Sequence, residues 1–298
     1  MPFLPGYASV TPGVLYIVAT PIGNPRDITI RALDVLAEVD LIAAEDTRKT
    51  GLLLQARGIK KPLISCFAHN EQARSAEIIE SLKEGKAVAL VSDAGTPGIS
   101  DPGARLVRRA LEEGLDISVV PGPSAVVAAL CASGMDMEPF AFGGFFPRKG
   151  NEKKAWIAKF SDFPGSLVFF ESPRRVRGTM SLLSEDWGDR KCCLAREITK
   201  RYEEFIRGSV ADIAARLEAS DPVKGEIVVV VEGNPKRSGV DEIPRGVSGE
   251  LMDELIEILL ESGMRKKEAS QKLARLSGLP AKECYAMMIK KPRMIKKL

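Results

Sequence analysis

The sequence predicts an α/β protein in which a mostly parallel sheet precedes a mixed sheet and a small helical module. Three observations support this fold class. Short apolar, β-branched runs alternate with helical patterns through residues 1–120, helices become fewer per strand after that, and loops bearing glycine and proline follow several strands. The 298 residues are enough for two domains and a further module.

The N-terminal domain, placed at residues 1–122, alternates strand and helix. Strands are predicted at 14–18, 41–44, 63–66, 87–91 and 117–120, and helices at 28–38, 48–57, 72–84 and 104–113. Gly58, Gly85 and Gly114 follow three of these helices, where a left-handed cap favours glycine. Such alternation is typical of a parallel sheet covered by helices on both faces.

The second domain, placed at residues 123–235, begins at a hinge (121–124, PGPS) in which Ser124 is predicted to cap a helix at 125–132. Strands are predicted at 140–144, 166–170, 191–196, 203–208 and 226–232, and helices at 153–160, 175–183 and 210–218. The smaller share of helices predicts a mixed sheet. Residues 236–248 are rich in glycine, proline and serine, which predicts a linker.

A basic helical module is predicted at 249–298, with helices at 250–261, 266–276 and 281–289. Residues 262–298 hold eleven basic and two acidic residues, a net +9, which leaves −6 for the remainder of a chain whose overall charge is +3. This asymmetry indicates a polyanionic partner, and a nucleic acid is the favoured candidate. The alternative is a solvated basic face on helices that cover apolar surface, because apolar residues recur there at helical spacing: Leu251, Leu255, Ile258 and Leu259.

Composition excludes several classes of protein. A hydrophobic content of 45% and a charged content of 28% are ordinary for a soluble globular protein. No apolar run approaches the ~20 residues that span a bilayer, and we see no secretory signal, so we expect a cytoplasmic protein without a membrane partner. Five cysteines without a C-x-x-C pair and a single histidine predict reduced thiols and no metal site.

Two loops indicate one shared ligand. The strand ending at Val18 continues into the turn 21–25 (PIGNP), and the strand ending at Val91 continues into the loop 92–103 (SDAGTPGISDPG). Enzymes of the α/β class build ligand sites where strand carboxyl ends meet glycine loops and helix amino ends. The first loop lacks G-x-G-x-x-G, so an ordinary dinucleotide-binding fold is not predicted.

These loops and several later motifs resemble the tetrapyrrole methylase superfamily, over about residues 13–233. The motifs are LYIVATPIGNPRD (15–27), AEDTR (44–48), SDAGTPGISDPG (92–103), VPGPSA (120–125), GFFPR (144–148), FESPR (170–174) and REITK (196–200). The resemblance implies a two-domain fold that binds S-adenosylmethionine between its domains and commonly forms homodimers. The motifs are most similar to a branch that methylates the ribose 2′-hydroxyl of a decoding-centre cytidine in 16S rRNA.

The candidate cofactor contacts lie in these loops: Pro21, Asp93, Ala94, Gly95, Ile99, Ser124, Ala125 and Phe170. Asp93 would accept hydrogen bonds from hydroxyl or amino groups of the cofactor, and Ala125 and Phe170 would provide apolar walls near the adenine. The alternative for Asp93 is a turn-forming Asx residue.

Methyl transfer to a hydroxyl is helped by a base that removes its proton. The candidate bases are the carboxylates Glu45, Asp46, Asp101, Glu171 and Glu197. Cations near the loop ends would bind RNA phosphates: Arg48, Lys49, Arg148, Arg174 and Arg196, with His69 as a further RNA contact. Each cation could instead pair with a carboxylate, as Arg196 with Glu197, and His69 could have a structural role.

We therefore predict a 2′-O-methyltransferase whose partner is 16S rRNA, within the 30S subunit. Two alternatives stay open at this stage. A methylase of tetrapyrroles or another small molecule would have a cleft closed to macromolecules and no need for the basic module. A non-catalytic RNA-binding protein on the same fold would bind RNA without methyl transfer.

Overall fold

The structure, a computed structural model, describes residues 10–67, 69–234, 249–261, 264–277 and 279–290. The chain divides into two compact units, residues 1–235 and residues 236–298. The predicted linker at 236–248 lies outside the described residues. The predicted domain boundary between residues 122 and 123 stays a prediction.

A five-stranded parallel sheet forms the first part of the larger unit. Its strands are β1 (Leu15–Val18), β2 (Leu41–Ala44), β3 (Leu63–Ser65), β4 (Val88–Val91) and β5 (Ile117–Val120). They lie in the order β3-β2-β4-β1-β5, and every pair is parallel. The connections carry helices α1 (Ile30–Glu38), α2 (Thr47–Gln55), α3 (Glu71–Lys83) and α4 (Ala104–Glu112). The predicted parallel sheet is confirmed.

A mixed sheet forms the second part. Its strands are β6 (Phe140–Phe145), β7 (Ser166–Glu171), β8 (Lys191–Arg196), β9 (Glu204–Ser209) and β10 (Ile227–Val231), in the order β6-β7-β10-β8-β9. Only β6 and β7 run parallel, so the predicted mixed sheet is also confirmed. Its helices are α5 (Ala125–Ser133), α6 (Gly150–Ser161), α7 (Val176–Trp187) and α8 (Val210–Glu218).

The mixed sheet is packed on both faces. One face buries an aromatic cluster in which Trp156 lies 4.9 Å from Phe146 and 5.2 Å from Phe169, centroid to centroid. The other face packs against α5 and against two buried loop residues, Ile22 after β1 and Ile198 after β8. The turn that follows the first parallel strand is therefore fixed to the second sheet by apolar packing.

The prediction that Ser124 caps α5 is wrong. Ser124 occupies the position before the helix, but its side chain makes no capping hydrogen bond. A serine does cap α8, where the Ser209 hydroxyl accepts from the Asp212 amide and the Asp212 carboxylate accepts from the Ser209 amide. Ser124 lines a cavity, which is described below.

The smaller unit contains helices α9 (Gly249–Glu261), α10 (Lys266–Ser277) and α11 (Ala281–Lys290). Its core is centred on Met252, Ile256 and Leu259 of α9, packed with residues of α10 and α11. Of the predicted apolar stripe, Leu259 is buried and Leu255 packs against this core, whereas Ile258 is 56% exposed and Ile256 is buried in its place. The side chain of Leu251 lies outside the described residues. The described basic residues are mostly exposed, but the Lys266 Nζ donates to the Met288 carbonyl, 3.2 Å away.

Among the described residues, the structure contains no helix long and apolar enough to cross a membrane. Within the same residues, no group of three or more His, Cys, Asp or Glu side chains is placed to hold a metal ion. All five cysteines are free thiols, and four of them are buried.

Candidate active site

The candidate site forms where β1 and β4 end beside each other in the parallel sheet. Thr20, after β1, and Gly95, after β4, exchange two backbone hydrogen bonds of 2.8 and 3.0 Å. The two glycine- and proline-bearing loops are therefore joined to each other at the carboxyl edge of the sheet. This is the edge at which α/β proteins place their ligands.

The loop after β8 closes the site from the mixed sheet. A Cβ at Gly23 would lie 2.5 Å from the Lys200 Cγ and 2.9 Å from the Ile198 carbonyl, so this turn approaches the loop as closely as only glycine permits. The Asn24 amide donates to the Thr199 hydroxyl at 3.0 Å. Glu197 and Thr199 adopt left-handed backbone conformations, φ 53° and 65°, which are strained for residues with a Cβ.

Two cavities open between these loops. The larger has a volume of about 340 Å³. Six of the eight predicted cofactor contacts line it: Ala94, Gly95, Ile99, Ser124, Ala125 and Phe170. The smaller cavity, of about 280 Å³, is lined by the remaining two, Pro21 and Asp93, and by Lys49. The two cavities have Ile22, Ala94 and Glu226 in common.

The larger cavity fits S-adenosylmethionine in its chemistry. Phe170, held edge-on between Phe142 and Phe145 at centroid distances of 5.0 and 5.3 Å, and the half-exposed Ile99 offer apolar surface to an adenine. The carboxyl groups of Asp101 and Glu226 suit the positive charge of a sulfonium or an ammonium group.

The Asp93 carboxylate is engaged with the end of β2. Its Oδ1 accepts from the Asp46 amide at 3.0 Å, and its Oδ2 forms an ion pair of 2.6 Å with the Lys49 Nζ. The Asp93 amide donates in turn to the Glu45 Oε2 at 3.1 Å. Asp93 therefore lies on the smaller cavity with a lysine partner already in place, and its role as a cofactor contact stays a prediction.

Asp101 is the candidate base whose surroundings favour proton transfer. Burial raises the pKa of its carboxyl to about 6, and the carboxylates of Glu45, Asp93 and Glu226 add to the rise, while a hydrogen bond with Ser92 opposes it. Asp101 lines the larger cavity and forms no ion pair with any described residue. It is therefore ionised at neutral pH and yet more basic than an ordinary aspartate.

The Glu171 carboxylate is saturated by its neighbours, although it borders the larger cavity. Its side chain is fully buried and pairs with Arg175 at 2.5 Å, and it accepts hydrogen bonds from the Thr179 hydroxyl and the Ser172 amide, each at 2.6 Å. Arg175 also donates to the carbonyls of Phe146 and Pro147. Glu171 thus holds the loops after β6 and β7 together.

Glu197 has a similar structural role in the loop after β8. Its Oε1 accepts from the Lys200 Nζ at 2.9 Å and from the Glu226 amide at 3.0 Å. The Lys200 hydrogen bond holds the pKa of Glu197 below its usual range. A Cβ at Gly225, whose φ is +91°, would lie 2.4 Å from this carboxyl group. The backbone just before β10 therefore packs directly against the Glu197 side chain.

Two further candidate bases follow β2. Glu45 accepts the Asp93 amide hydrogen bond described above. Asp46 precedes α2, accepts from the Arg48 amide at 2.9 Å and pairs with the Arg48 guanidinium at 2.7 Å. These hydrogen bonds from Arg48 hold the pKa of Asp46 well below its usual range. Asp46 therefore stabilises the start of α2, and it lines neither cavity.

The predicted RNA contacts fall into two groups. Arg48 pairs with Asp46, Lys49 pairs with Asp93, and Arg196 pairs with Glu204 at 3.0 Å across β8 and β9 rather than with Glu197. Arg148 and Arg174 are exposed and make no ion pair within the described part of the chain. Phosphate would therefore meet the second group without competition from a carboxylate.

His69 is exposed, and its ring meets Phe67 edge-on at 6.3 Å. Two residues with a role at the site were missed by the sequence reasoning. The first is Glu71, a buried acid at the start of α3. Its Oε1 accepts from the amides of Gly103 and Arg105, each at 3.0 Å, and so fixes the loop that carries Asp101. Lys200, which pairs with Glu197 and Glu226 and lines the smaller cavity, was missed as well. An acid and a lysine at loop ends give no sequence signal of such contacts.

Comparisons with known proteins agree with this geometry. Residues 14–214 match the model of the family described as Tetrapyrrole (Corrin/Porphyrin) Methylases. The chain is 42% identical over 273 residues to "Ribosomal RNA small subunit methyltransferase I" of Bacillus subtilis, which covers 92% of this chain and 93% of the relative. The protein of the same name from Haemophilus influenzae is 43% identical, over 92% of this chain and 95% of its own length.

A third relative of the same name, from Thermotoga maritima, is 49% identical over 221 residues. The match covers 99% of that relative but only 74% of this chain, so about a quarter of this chain has no counterpart in it. Among solved structures, the uroporphyrin-III-C-methyltransferase of Thermus thermophilus matches with a TM-score of 0.53 and 22% identity, over 74% of this chain and 94% of that one. The cobalt precorrin-4 methyltransferase CbiF matches with a TM-score of 0.54 and 20% identity, over 74% and 95%. At such identities these two show the fold alone.

Proposed function

We infer the reaction from one premise: this chain belongs to the tetrapyrrole methylase family and, within it, to the ribosomal RNA small subunit methyltransferase I family. The protein is a methyltransferase of small-subunit rRNA. We propose S-adenosylmethionine as its methyl donor and the ribose 2′-hydroxyl of a decoding-centre cytidine in 16S rRNA as its acceptor. We further propose that it acts on the 30S subunit in the cytoplasm, as a homodimer.

The observation that carries the proposal is the larger cavity. Its apolar walls, Phe170 and Ile99, adjoin Asp101, whose carboxyl group is half-buried among other carboxylates. Ala94, Gly95, Ser124 and Phe170 would hold the cofactor, which when bound supplies an electrophilic methyl group on a sulfonium sulfur. An apolar site for the donor beside a group that can take a proton is what methylation of a hydroxyl requires.

The residues of this chain would divide the remaining work. The Asp101 carboxylate would accept the proton of the acceptor hydroxyl, while Phe170 and Ile99 would exclude water from the larger cavity. Arg148 and Arg174 would bind RNA phosphates, since both are exposed and unpaired within the described chain. Glu71, Glu171 and Glu197 would keep the three loops in place.

The test is methyl transfer from labelled S-adenosylmethionine to 30S subunits that lack the modification, followed by mapping of the nucleotide by mass spectrometry. We expect one methyl group on the ribose of a decoding-centre cytidine. Free 16S rRNA and 50S subunits serve as comparison substrates. RNA binding without transfer would instead favour the non-catalytic alternative, and transfer to a tetrapyrrole alone would favour the small-molecule alternative. Sedimentation of the purified protein tests the homodimer.

The basic helical module, residues 249–298, is proposed to anchor the substrate. Its exposed cations include Arg265, Lys267 and Lys272, and every cavity-lining residue named above precedes residue 235. Deletion of residues 245–298 should leave the affinity for S-adenosylmethionine within twofold and weaken 30S binding about tenfold, more at moderate than at high salt. Calorimetry and filter binding measure the two. A folded truncation with full activity would contradict the anchor.

A further inference from the structure

The smaller cavity adjoins the larger one and differs from it in chemistry. It is bordered by the turn after β1, by α2 and by the end of β4, and it carries two cations, Lys49 and Lys200, with the carboxylates of Asp93 and Glu226. We propose that this cavity receives the acceptor nucleoside, turned out of the RNA strand, with the Lys49–Asp93 pair facing the polar edge of its base. The inference rests on the proposed function and assigns the second half of the same site.

Contact between the two substrates is the first argument. Methyl transfer requires the acceptor oxygen to meet the donor in line, so the acceptor site must adjoin the donor site and open onto it. The two cavities adjoin at Ile22, Ala94 and Glu226, because these residues line both of them. The volumes rank as the ligands do: about 340 Å³ for a cofactor that contains adenosine and an amino acid, and about 280 Å³ for a single nucleoside.

The second argument is the chemistry of the lining. Enzymes that act on a nucleotide commonly extrude it into a pocket, where apolar walls stack on the base and polar groups read its edge. Pro21, Pro25 and Leu53 provide apolar surface here. Lys49 and Asp93, joined at 2.6 Å, place a donor beside an acceptor. A cytosine presents an amino donor beside acceptor atoms, which is the complementary pattern.

Access is the third argument. The Lys49 side chain is 64% exposed, whereas that of Asp93 is 23% exposed, so the pair leads from the surface into the cavity. A nucleotide entering from solvent would meet the lysine first and the carboxylate deeper. Glu226, which lines both cavities, is held by Lys200 at 3.1 Å, so the place where the cavities adjoin has a polar edge.

The test fills the smaller cavity without touching the larger one. Leu53 lines the smaller cavity, and Leu52, the next residue of α2, is 68% exposed and lines neither cavity. We expect Leu53→Trp to lower kcat/KM for 30S methylation at least tenfold, while calorimetry gives a cofactor Kd within twofold of the parent protein. Leu52→Trp should match the parent in both. Full activity of Leu53→Trp, or a loss of its cofactor affinity, would overturn the proposal.

A second measurement needs no variant and so does not depend on how Leu53→Trp folds. A photoreactive thionucleoside is placed at the target position of the 30S subunit, irradiated in the complex and located in the protein by mass spectrometry. Crosslinks within 47–53 or 92–93 are expected, and crosslinks confined to 170–173 would place the acceptor elsewhere. Failure of the proposed function would look different, since the parent protein would then methylate no 30S subunit at all.

Discussion

The carboxylates on the two sides of the site have opposite surroundings. On the mixed-sheet side, Glu171 and Glu197 are each held by a cation and by hydrogen bonds from backbone or hydroxyl groups, and the pKa of Glu197 lies below its usual range. On the parallel-sheet side, Asp101 has carboxylates for neighbours, and burial raises its pKa to about 6. The first pair maintains the shape of the loops, and Asp101 remains available to take a proton.

This contrast follows from what each loop must do. In the loops after β7 and β8, a carboxylate that accepts several donors adds to the backbone hydrogen bonds: Glu171 is fully buried there, and the Glu197 side chain is 20% exposed. The loop that carries Asp101 is instead fixed from outside, by the Glu71 carboxylate on the amides of Gly103 and Arg105. The loop is therefore held without an ion pair to Asp101.

The largest effect should come from removing the carboxylate that we propose as the base. Asp101→Asn keeps the size of the side chain and abolishes proton acceptance, so we expect methylation of 30S subunits to fall about 10²–10³-fold. The melting temperature should be unchanged or higher, because a buried charge is removed. Asp116→Asn, at an exposed aspartate after α4, is the matched control. An active Asp101→Asn protein would return the catalytic role to one of the other candidates.

The opposite result is expected on the mixed-sheet side. Glu171→Gln leaves the mostly buried Arg175 guanidinium without its carboxylate partner. The free energy of unfolding should therefore fall by about 2 kcal/mol. Urea titration measures the loss, and Glu185→Gln, on the exposed face of α7, should have no measurable effect. Activity per folded molecule should fall much less than in Asp101→Asn. A stable but inactive Glu171→Gln would mean that Glu171 takes part in the chemistry.

A pH series should separate the two kinds of carboxylate. Because the base must be ionised, kcat/KM should rise with pH up to about 6 and then level off. The folded protein holds the Asp101 proton more tightly than the unfolded chain does, so its contribution to stability is present below the ordinary value of 3.8 and is lost as the pH rises to about 6. Glu197, whose pKa is lowered, contributes stability above its ordinary value that is lost in acid.

Asp101→Asn should remove the rising limb of kcat/KM and the stability change between the ordinary aspartate pKa and about 6, while the acid limb that Glu197 contributes persists. Chemical denaturation at each pH measures the stability, and single-turnover methylation measures the activity. An unchanged pH profile in the variant would show that another group titrates in this range.

Much of the fold could be predicted because it depends on local patterns. The strands 41–44, 117–120 and 191–196 were predicted with the bounds that the structure gives them, since each is a short apolar run between helix and turn signals. The parallel sheet followed from the alternation of strands and helices. The prediction of a cap at Ser124 was wrong, because a cap requires the hydroxyl to accept a hydrogen bond from the helix. The Ser124 side chain makes no such bond, and the residue borders a cavity.

The site could be predicted only in part. Five of the six cofactor candidates in the larger cavity follow β4 or β5, because loops at the carboxyl ends of parallel strands lie at one edge of the sheet. Phe170 comes from β7 of the mixed sheet, which this rule does not predict. The partners of Asp93, Glu171 and Arg196 could not be predicted, because Lys49, Thr179 and Glu204 are brought to them by tertiary folding. The sequence therefore supplies only a list of candidate carboxylates, and the contacts of each separate Asp101, the proposed base, from those that hold loops.

The smallest expected effect concerns the cations. Arg174 has no ion pair among the described residues, whereas Arg48, on the parallel-sheet side, is held by Asp46 at 2.7 Å. If Arg174 contacts a phosphate, Arg174→Ala should weaken 30S binding a few fold and reduce the slope of log K against log salt by about 1. Arg48→Ala should change both less, because a phosphate must compete with a carboxylate already in place. Filter binding between low and moderate salt measures the slopes. Equal losses in the two variants would show that the Arg48–Asp46 ion pair opens when RNA binds. The absence of an ion pair in the free protein would then not identify the cations that contact RNA.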